Sequence, residues 1–364
     1  MVQDMQSGTL DVASELPSAG YTVLSTSPGI QVCDANPYRD VHDLGFNCYT
    51  GAASQGNPVL KDASFRRALN FAIDKEKLVE VAYEGHAVPG STVIVSDYYE
   101  DPDWHWTPPA EEAYTFDLDK ARAALDAAGY KDTNGDGIRD YRGEPIVLRF
   151  WVLQQPPSRP LAGRLITGWL KDIGLKIKFS LMDEGTLMGY QYNYEGSTFA
   201  PDYDLFYWGW GGDMDPNFLL SCFTTSQIEG WSDTAWSNEE YDRLYEQQQT
   251  TIDPKARQEI IWKMQEIMYE ETPMIFTVQP GTLSAWNTSR WTGWVRSPAD
   301  TGQAIGLQYI VASYRSVSPV VADETQDGSS YWPWVIGAAV AAGVAVVAIV
   351  LLRRRHPAEV DSGE

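Results

Sequence analysis

The stretch WGWGGDMDPNF, Trp208 to Phe218, sets two indole rings, three glycines and two carboxylates within eleven residues. Indole faces stack apolar or cationic groups, and a partly desolvated carboxylate neutralises an ammonium through a charge-assisted hydrogen bond. Trp208, Trp210, Gly212, Asp213 and Asp215 are therefore the candidate ligand-binding residues. The glycines read as flexible backbone. Core tryptophans beside a solvated acidic turn have the same composition, so the assignment needs support from elsewhere in the chain.

A second chemical grouping lies in DTNGDGIRD, where Asp132, Asn134, Asp136 and Asp140 present oxygen atoms and Gly137 permits a sharp turn. That is the first half of a calcium loop of the EF-hand kind. The bidentate Glu of the twelfth loop position is missing: Gly143 stands there and Glu144 follows one residue late. A plain surface turn and a structural calcium site both fit the loop, and no other cofactor is expected.

Catalytic ingredients are scarce. His42, His86, His105 and His356 are the only histidines, and no HExxH, GxSxG or GxxxxGK[ST] occurs. Cys33, Cys48 and Cys222 cannot all pair with one another and form no zinc-like cluster. Carboxylates are numerous enough for a surface glycoside hydrolase, though a sequence does not show two of them about 5 to 10 Å apart across a sugar. No enzyme is expected. The net charge of −23 repels a phosphate backbone, which excludes a nucleic-acid partner.

The elements that would position these groups alternate in type. Phe65, Ala68, Leu69, Ala72 and Ile73 form one face of a helix running toward Gly85, and Asp117 caps a second helix that Gly129 stops. IVLRFWV (146–152), a helix bearing Leu161, Leu165, Ile166, Trp169, Leu170 and Ile173, and the alternating Leu175 to Leu181 make a strand-helix-strand unit. YDLFYWGW (203–210) is a further strand. Ser237 with Glu240 reads as a capping box, and Asp253 followed by Pro254 as a cap with a first-turn proline. The helix after Pro254 stops before Pro273, and MIFTV is strand-like. The fold class is α/β.

Val335 to Leu352 is an uncharged apolar run of 18 residues, long enough for a membrane helix. Trp332 and Trp334 precede it, and Arg353, Arg354 and Arg355 follow it on the side expected to stay cytoplasmic. The bulk of the chain is then expected outside the cell, joined to the span by the polar tether SPVVADETQDGSS (318–330). An exported domain calls for a leader, and MVQDMQSGTLDVASELP has neither a basic n-region nor an apolar h-region, so a missing start is expected.

With these pieces in place, the chain resembles the family 5, peptide-type solute-binding proteins of ABC importers. Leu44 to Gly90 carries an asparagine-ending strand, an R-x-A-L-x-x-A-I-D helix and a G-x-A-x-P turn. YTFDLDKARAALDAAGYKDTNGDGIRDYRGEPIVLRF, YDLFYWGWGGDMDP and NEEYDRLYEQQQTTIDPKARQEIIWKMQEIMYEETPMIF follow in the family's order. The resemblance covers about residues 5–317 and implies a lobe of the type II periplasmic-binding-protein kind, with mixed sheets flanked by helices, most of the first lobe being absent. It divides the chain into a first-lobe remnant (1–43), the second, ligand-binding lobe (44–284), a return to the first lobe (285–317), a linker (318–331), an anchor with its flanks (332–355) and a cytoplasmic tail (356–364).

By the same resemblance the acid after the tryptophan strand pairs with a peptide's α-amino group. Asp213 is the first assignment. Asp215 stays an alternative, because GDMDP is one residue shorter than the family's spacing. The implied function is an extracytoplasmic receptor that captures a peptide and delivers it to an ABC permease. Relatives that bind oligosaccharides make a sugar the rival ligand.

Overall fold

The computed structural model describes residues 1–35, 39–96, 102–213, 215–305 and 311–320. The strands used below are β1 Val12–Ala13, β2 Ile30–Ala35, β3 Asp40–Phe46, β4 Ala87–Pro89, β5 Val147–Leu153, β6 Lys176–Met182, β7 Leu205–Gly211, β8 Met274–Pro280 and β9 Thr282–Asn287. The helices are α1 Ala63–Asn70, α2 Leu118–Ala127, α3 Ser158–Asp172, α4 Glu184–Gln191, α5 Glu239–Thr250 and α6 Pro254–Glu271.

Two sheets organise the chain within one compact unit, Met1–Pro319. The larger has the order β4-β8-β3-β7-β5-β6, with β7, β5 and β6 parallel and the other neighbours antiparallel. Its central strands are buried nearly throughout, as expected where both faces are covered. The outermost strand, β6, alternates Lys176 and Lys178 outward with Ile177 inward, and lysines on an edge discourage further strand pairing. The smaller sheet, β1-β9-β2, is antiparallel and has its own apolar cluster of Met5, Ala13, Leu16, Leu24, Leu283 and Ala285. The chain passes between the sheets twice, from β2 to β3 and again at Gly281, where a Cβ would stand 2.6 Å from the Ala35 carbonyl oxygen. The larger sheet thus begins at Asp40, four residues before the expected lobe boundary, and the smaller one resumes at Thr282.

Local signals account for most elements. The β5-α3-β6 unit is present and parallel. The Asp117 side chain accepts the Lys120 N–H at 2.9 Å, and Gly129 takes the left-handed conformation at the end of α2. Asp253 accepts the Ala256 N–H at 2.8 Å and Pro254 occupies the first turn of α6. The signature residues of the 44–90 segment have physical tasks. Asn47 donates to the Pro201 and Tyr203 carbonyls and accepts the Tyr49 N–H, locking the 201–203 segment to the end of β3. Buried Arg66 donates to the carbonyls of Leu60, Glu271 and Thr272, so the arginine of α1 closes the C-terminal end of α6.

Three expectations need correction. The helix expected to run from Phe65 toward Gly85 ends at Asn70; Asp74 caps a separate short segment by accepting the Lys77 N–H, and a π-turn follows over Leu78–Ala82. The cap of α5 is Asn238, whose side chain accepts the Tyr241 N–H, while Ser237 bonds Thr225. The folded part also continues past Val317, because Ser318–Pro319 pairs with Trp291–Thr292. The expected membrane span at 335–352 lies outside the described residues, among which no helix is long and apolar enough to cross a membrane.

Candidate ligand-binding site

The tryptophan strand β7 lies inside the larger sheet, antiparallel to β3 and parallel to β5. Register sets Trp208 opposite Asp43, Gly209 opposite His42 and Trp210 opposite Val41. Directly opposed residues share a face, so Trp208 and Asp43 are side by side. The glycines between and after the tryptophans serve clearance rather than flexibility. A Cβ at Gly209 would meet the His42 ring at 2.3 Å, and one at Gly211 would meet Asp40 Oδ1 at 2.4 Å. Gly212 is buried and donates its N–H to the Arg39 carbonyl at 3.2 Å.

The two tryptophans have different surroundings. Half-buried Trp208 packs against Trp151, Leu153, Leu187, Tyr203 and Phe206. Trp210 meets Phe218 and Trp231 edge-on at 6.3 and 6.4 Å between ring centroids, and its Nε1 donates to Asp233 Oδ2 at 2.8 Å. Trp231 itself is 55% exposed, which leaves an aromatic face at the surface.

The two acids of the loop also differ. Asp215 receives two parallel hydrogen bonds from Arg257, at 2.6 and 2.7 Å, and also accepts the Asn217 N–H. Those hydrogen bonds from Arg257 hold its carboxyl below the usual range. Arg257 lies over the Trp104 ring and donates to Gln248, which in turn donates to Asn217. Asp215 is thus part of a clamp between the loop and α6. Asp213 is exposed at the rim of a cavity of about 780 Å³ lined also by Trp104, Asp215, Phe218, Gln248 and Arg257. Trp208 and Trp210 do not line this cavity.

Behind the strand lies a polar set that sequence reasoning missed. Asp233 accepts from Trp210 and, at 3.3 Å, from the Tyr192 hydroxyl; burial nonetheless pushes its carboxyl up to about 7. Asp43 has no exposed surface, and its carboxyl is driven well above the ordinary range by burial and then by the charge of Asp233. His42 is held neutral by burial, its pKa lowered to about 3, and its Nδ1 bonds the Tyr83 hydroxyl. The available signal was an aspartate inside the otherwise apolar strand VHDLGF, which the strand's own periodicity does not explain.

In the DTNGDGIRD loop the side-chain oxygens serve the backbone. Asp132 accepts the Gly135 and Gly137 N–H groups, Asn134 that of Asp136, Asp136 that of Ile138, and Asp140 both the N–H and the hydroxyl of Thr133. Among the described residues, no three Asp, Glu, His or Cys side chains come together in a group that could hold a metal ion. The four candidate calcium ligands hold a chain of turns by hydrogen bonds, while Asp140 Oδ1 is buried without a partner among the described residues.

This fold and this strand-loop arrangement define a class. Residues 1–231 match the family model described as bacterial extracellular solute-binding proteins, family 5 Middle, and the chain belongs to that family. Its members are transport receptors without a chemical step, which sets the glycoside hydrolase reading aside. Among similar proteins, the oligopeptide-binding protein AppA of Bacillus subtilis is 25% identical over 249 residues, 67% of this chain and 44% of the relative. The dipeptide-binding protein of Escherichia coli is 25% identical over 219 residues, 59% of this chain and 37% of the relative. The chain thus spans less than half the length of these curated relatives. The solved structure of Bacillus subtilis AppA in complex with a nonapeptide superposes with a TM-score of 0.70 at 21% identity, covering 82% of this chain and 56% of that one. Campylobacter jejuni NikZ in complex with Ni(L-His) gives 0.70 at 19% identity, covering 87% and 59%.

Proposed function

We propose that this chain forms the ligand-binding lobe of an extracytoplasmic receptor that holds a peptide noncovalently and delivers it to an ABC permease. The observation that carries the reading is that the GDMDP loop, directly after the tryptophan strand, lines a cavity of about 780 Å³. Asp215 is held by Arg257, and Asp213 lines the same cavity directly after the tryptophan strand, where the resemblance sets the acid that meets the ligand. A carboxylate so placed pairs with a peptide's α-ammonium by a charge-assisted hydrogen bond, and aromatic surface nearby accepts varied side chains without selecting among them. The names of the similar proteins, oligopeptide- and dipeptide-binding, support a peptide ligand. The two crossings between the sheets offer a hinge, and ligand enclosed there shifts an open-closed equilibrium that a permease reads. The apolar run 335–352 with its arginine flank supports attachment to the membrane, to be checked by whether the protein resists alkaline carbonate extraction.

Calorimetry on the full-length protein tests the ligand. Asp213→Ala is expected to weaken binding of a peptide with a free amino terminus at least tenfold, and Asp215→Asn to change it by less than about threefold. Wild-type affinity in Asp213→Ala overturns the assignment. The exposed indole of Trp231 beside Trp210 favours one rival, an oligosaccharide stacked on that surface. Binding of cello-oligosaccharides in the absence of any peptide binding would establish it instead.

A further inference from the structure

Asp43 lies midway along β3 without exposed surface, and neither of its carboxylate oxygens has a hydrogen-bond partner among the described residues. Burying an unpartnered carboxylate is among the costliest arrangements a fold can hold. Its charged neighbours relieve it only in part. Asp233 raises the cost, and Arg159, the one opposing charge acting on it, has a buried Nε that is itself without an acceptor.

A further unpartnered group lies on α4, the helix whose Leu187 packs with Trp208. Gln191 stands one turn after Leu187 on the buried face of α4, and Leu187 packs in the cluster that contains Trp208. The Gln191 side chain is 3% exposed, and neither its oxygen nor its nitrogen has a partner. Beside Asp233, the Thr234 hydroxyl is buried and unpartnered as well. Asp43, opposite half-buried Trp208, thus has a carboxylate with nothing to accept from, and the neighbouring Asp233 adds negative charge without supplying a donor. The missing complement is a donor that carries positive charge.

We infer that Asp43, with Asp233 beside it, is a recognition subsite for a cationic side chain of the bound peptide, lysyl or arginyl, which enters past Trp208. The inference rests on the peptide-receptor reading and names a preference within it. Before binding, the Asp43 carboxyl holds a proton; the arriving cation takes the proton's place and the proton leaves to solvent. Asp233 and Arg159 are the charges that set this exchange, His42 being neutral. Lysyl peptide binding therefore releases a proton and strengthens as pH rises.

The test is calorimetry of the full-length protein with two tripeptide sets that differ only in carrying lysine or norleucine at each position, in two buffers of different ionisation enthalpy. The expected result is at least tenfold tighter binding of one lysyl peptide than of its norleucyl counterpart, with proton release for the lysyl peptide alone. In Asp43→Asn the preference and the proton release disappear, norleucyl affinity is unchanged and the melting temperature is no lower. Equal affinity for both sets on the wild-type protein overturns the inference and leaves the receptor reading standing, as does a preference that survives Asp43→Asn. The wild-type comparison decides without any variant. If no peptide binds at all, both readings fall together.

Discussion

Replacing Asp233 with asparagine removes a titration that the fold has displaced. The Asp233 carboxyl is buried and its pKa is raised from 3.8 to about 7, with burial outweighing the hydrogen bonds from Trp210 and Tyr192. The native state therefore holds this proton more tightly than the unfolded chain does. Stability from this group is fully present below pH 4, falls as pH rises from about 4 to 7, and changes little above that. The whole displacement corresponds to about 4 kcal/mol at about 1.4 kcal/mol per pH unit, of which about 2 to 3 kcal/mol falls between pH 5 and 8. Asparagine keeps the neutral shape: its oxygen accepts from Trp210 Nε1 and its amide donates to the Tyr192 oxygen. Urea unfolding followed by tryptophan fluorescence at pH 5, 6, 7 and 8 reads the difference. Wild type should lose about 2 to 3 kcal/mol more than Asp233→Asn across that range. Asp43, also pushed well above its ordinary range, is present in both proteins, and only the part of its shift that comes from the Asp233 charge is removed with that residue. Parallel stability curves for the two proteins would refute the reasoning, because they would mean that Asp233 is ionised in the native state throughout.

Two further outcomes follow from other parts of the structure. Arg66→Lys cannot span the carbonyls of Leu60, Glu271 and Thr272 that the guanidinium reaches, and is expected to cost about 2 to 4 kcal/mol in urea unfolding with the fold retained. For the DTNGDGIRD loop, oxygens already accepting backbone N–H groups predict an unchanged melting temperature with millimolar calcium or with chelator. A rise of several degrees with calcium would mean that the carboxylates leave those groups for the ion.

The mixed α/β class, the β5-α3-β6 unit and the caps at Asp117 and Asp253 were legible because each depends on residues within a few positions of one another. The failures have the same origin. The break after Asn70 is invisible to apolar spacing, since Ala72 and Ile73 are buried just as a continuing helix would bury them. Ser237 and Asn238 are both good caps, and the choice fell to Asn238 because Ser237 found a partner in Thr225. At the site, the GDMDP loop was recognisable by residue type, but the tasks of its members were not, and Gly209 and Gly211 proved to be clearances for His42 and Asp40 on the facing strand.

Local pattern and motif thus decided, without coordinates, that this chain is an α/β solute-binding lobe with a tryptophan-glycine-acid loop, because strands, helices and signature turns are short-range consequences of side-chain type. Tertiary structure alone decided that Asp215 is clamped by an arginine of α6. Arg257, the residue that claims Asp215, lies 42 positions further along the chain. The isolation of Asp43 was decided in the same way. A lone aspartate in a strand has no meaning until the sheet, α4 and the segment bearing Asp233 have closed around it and withheld every hydrogen-bond donor.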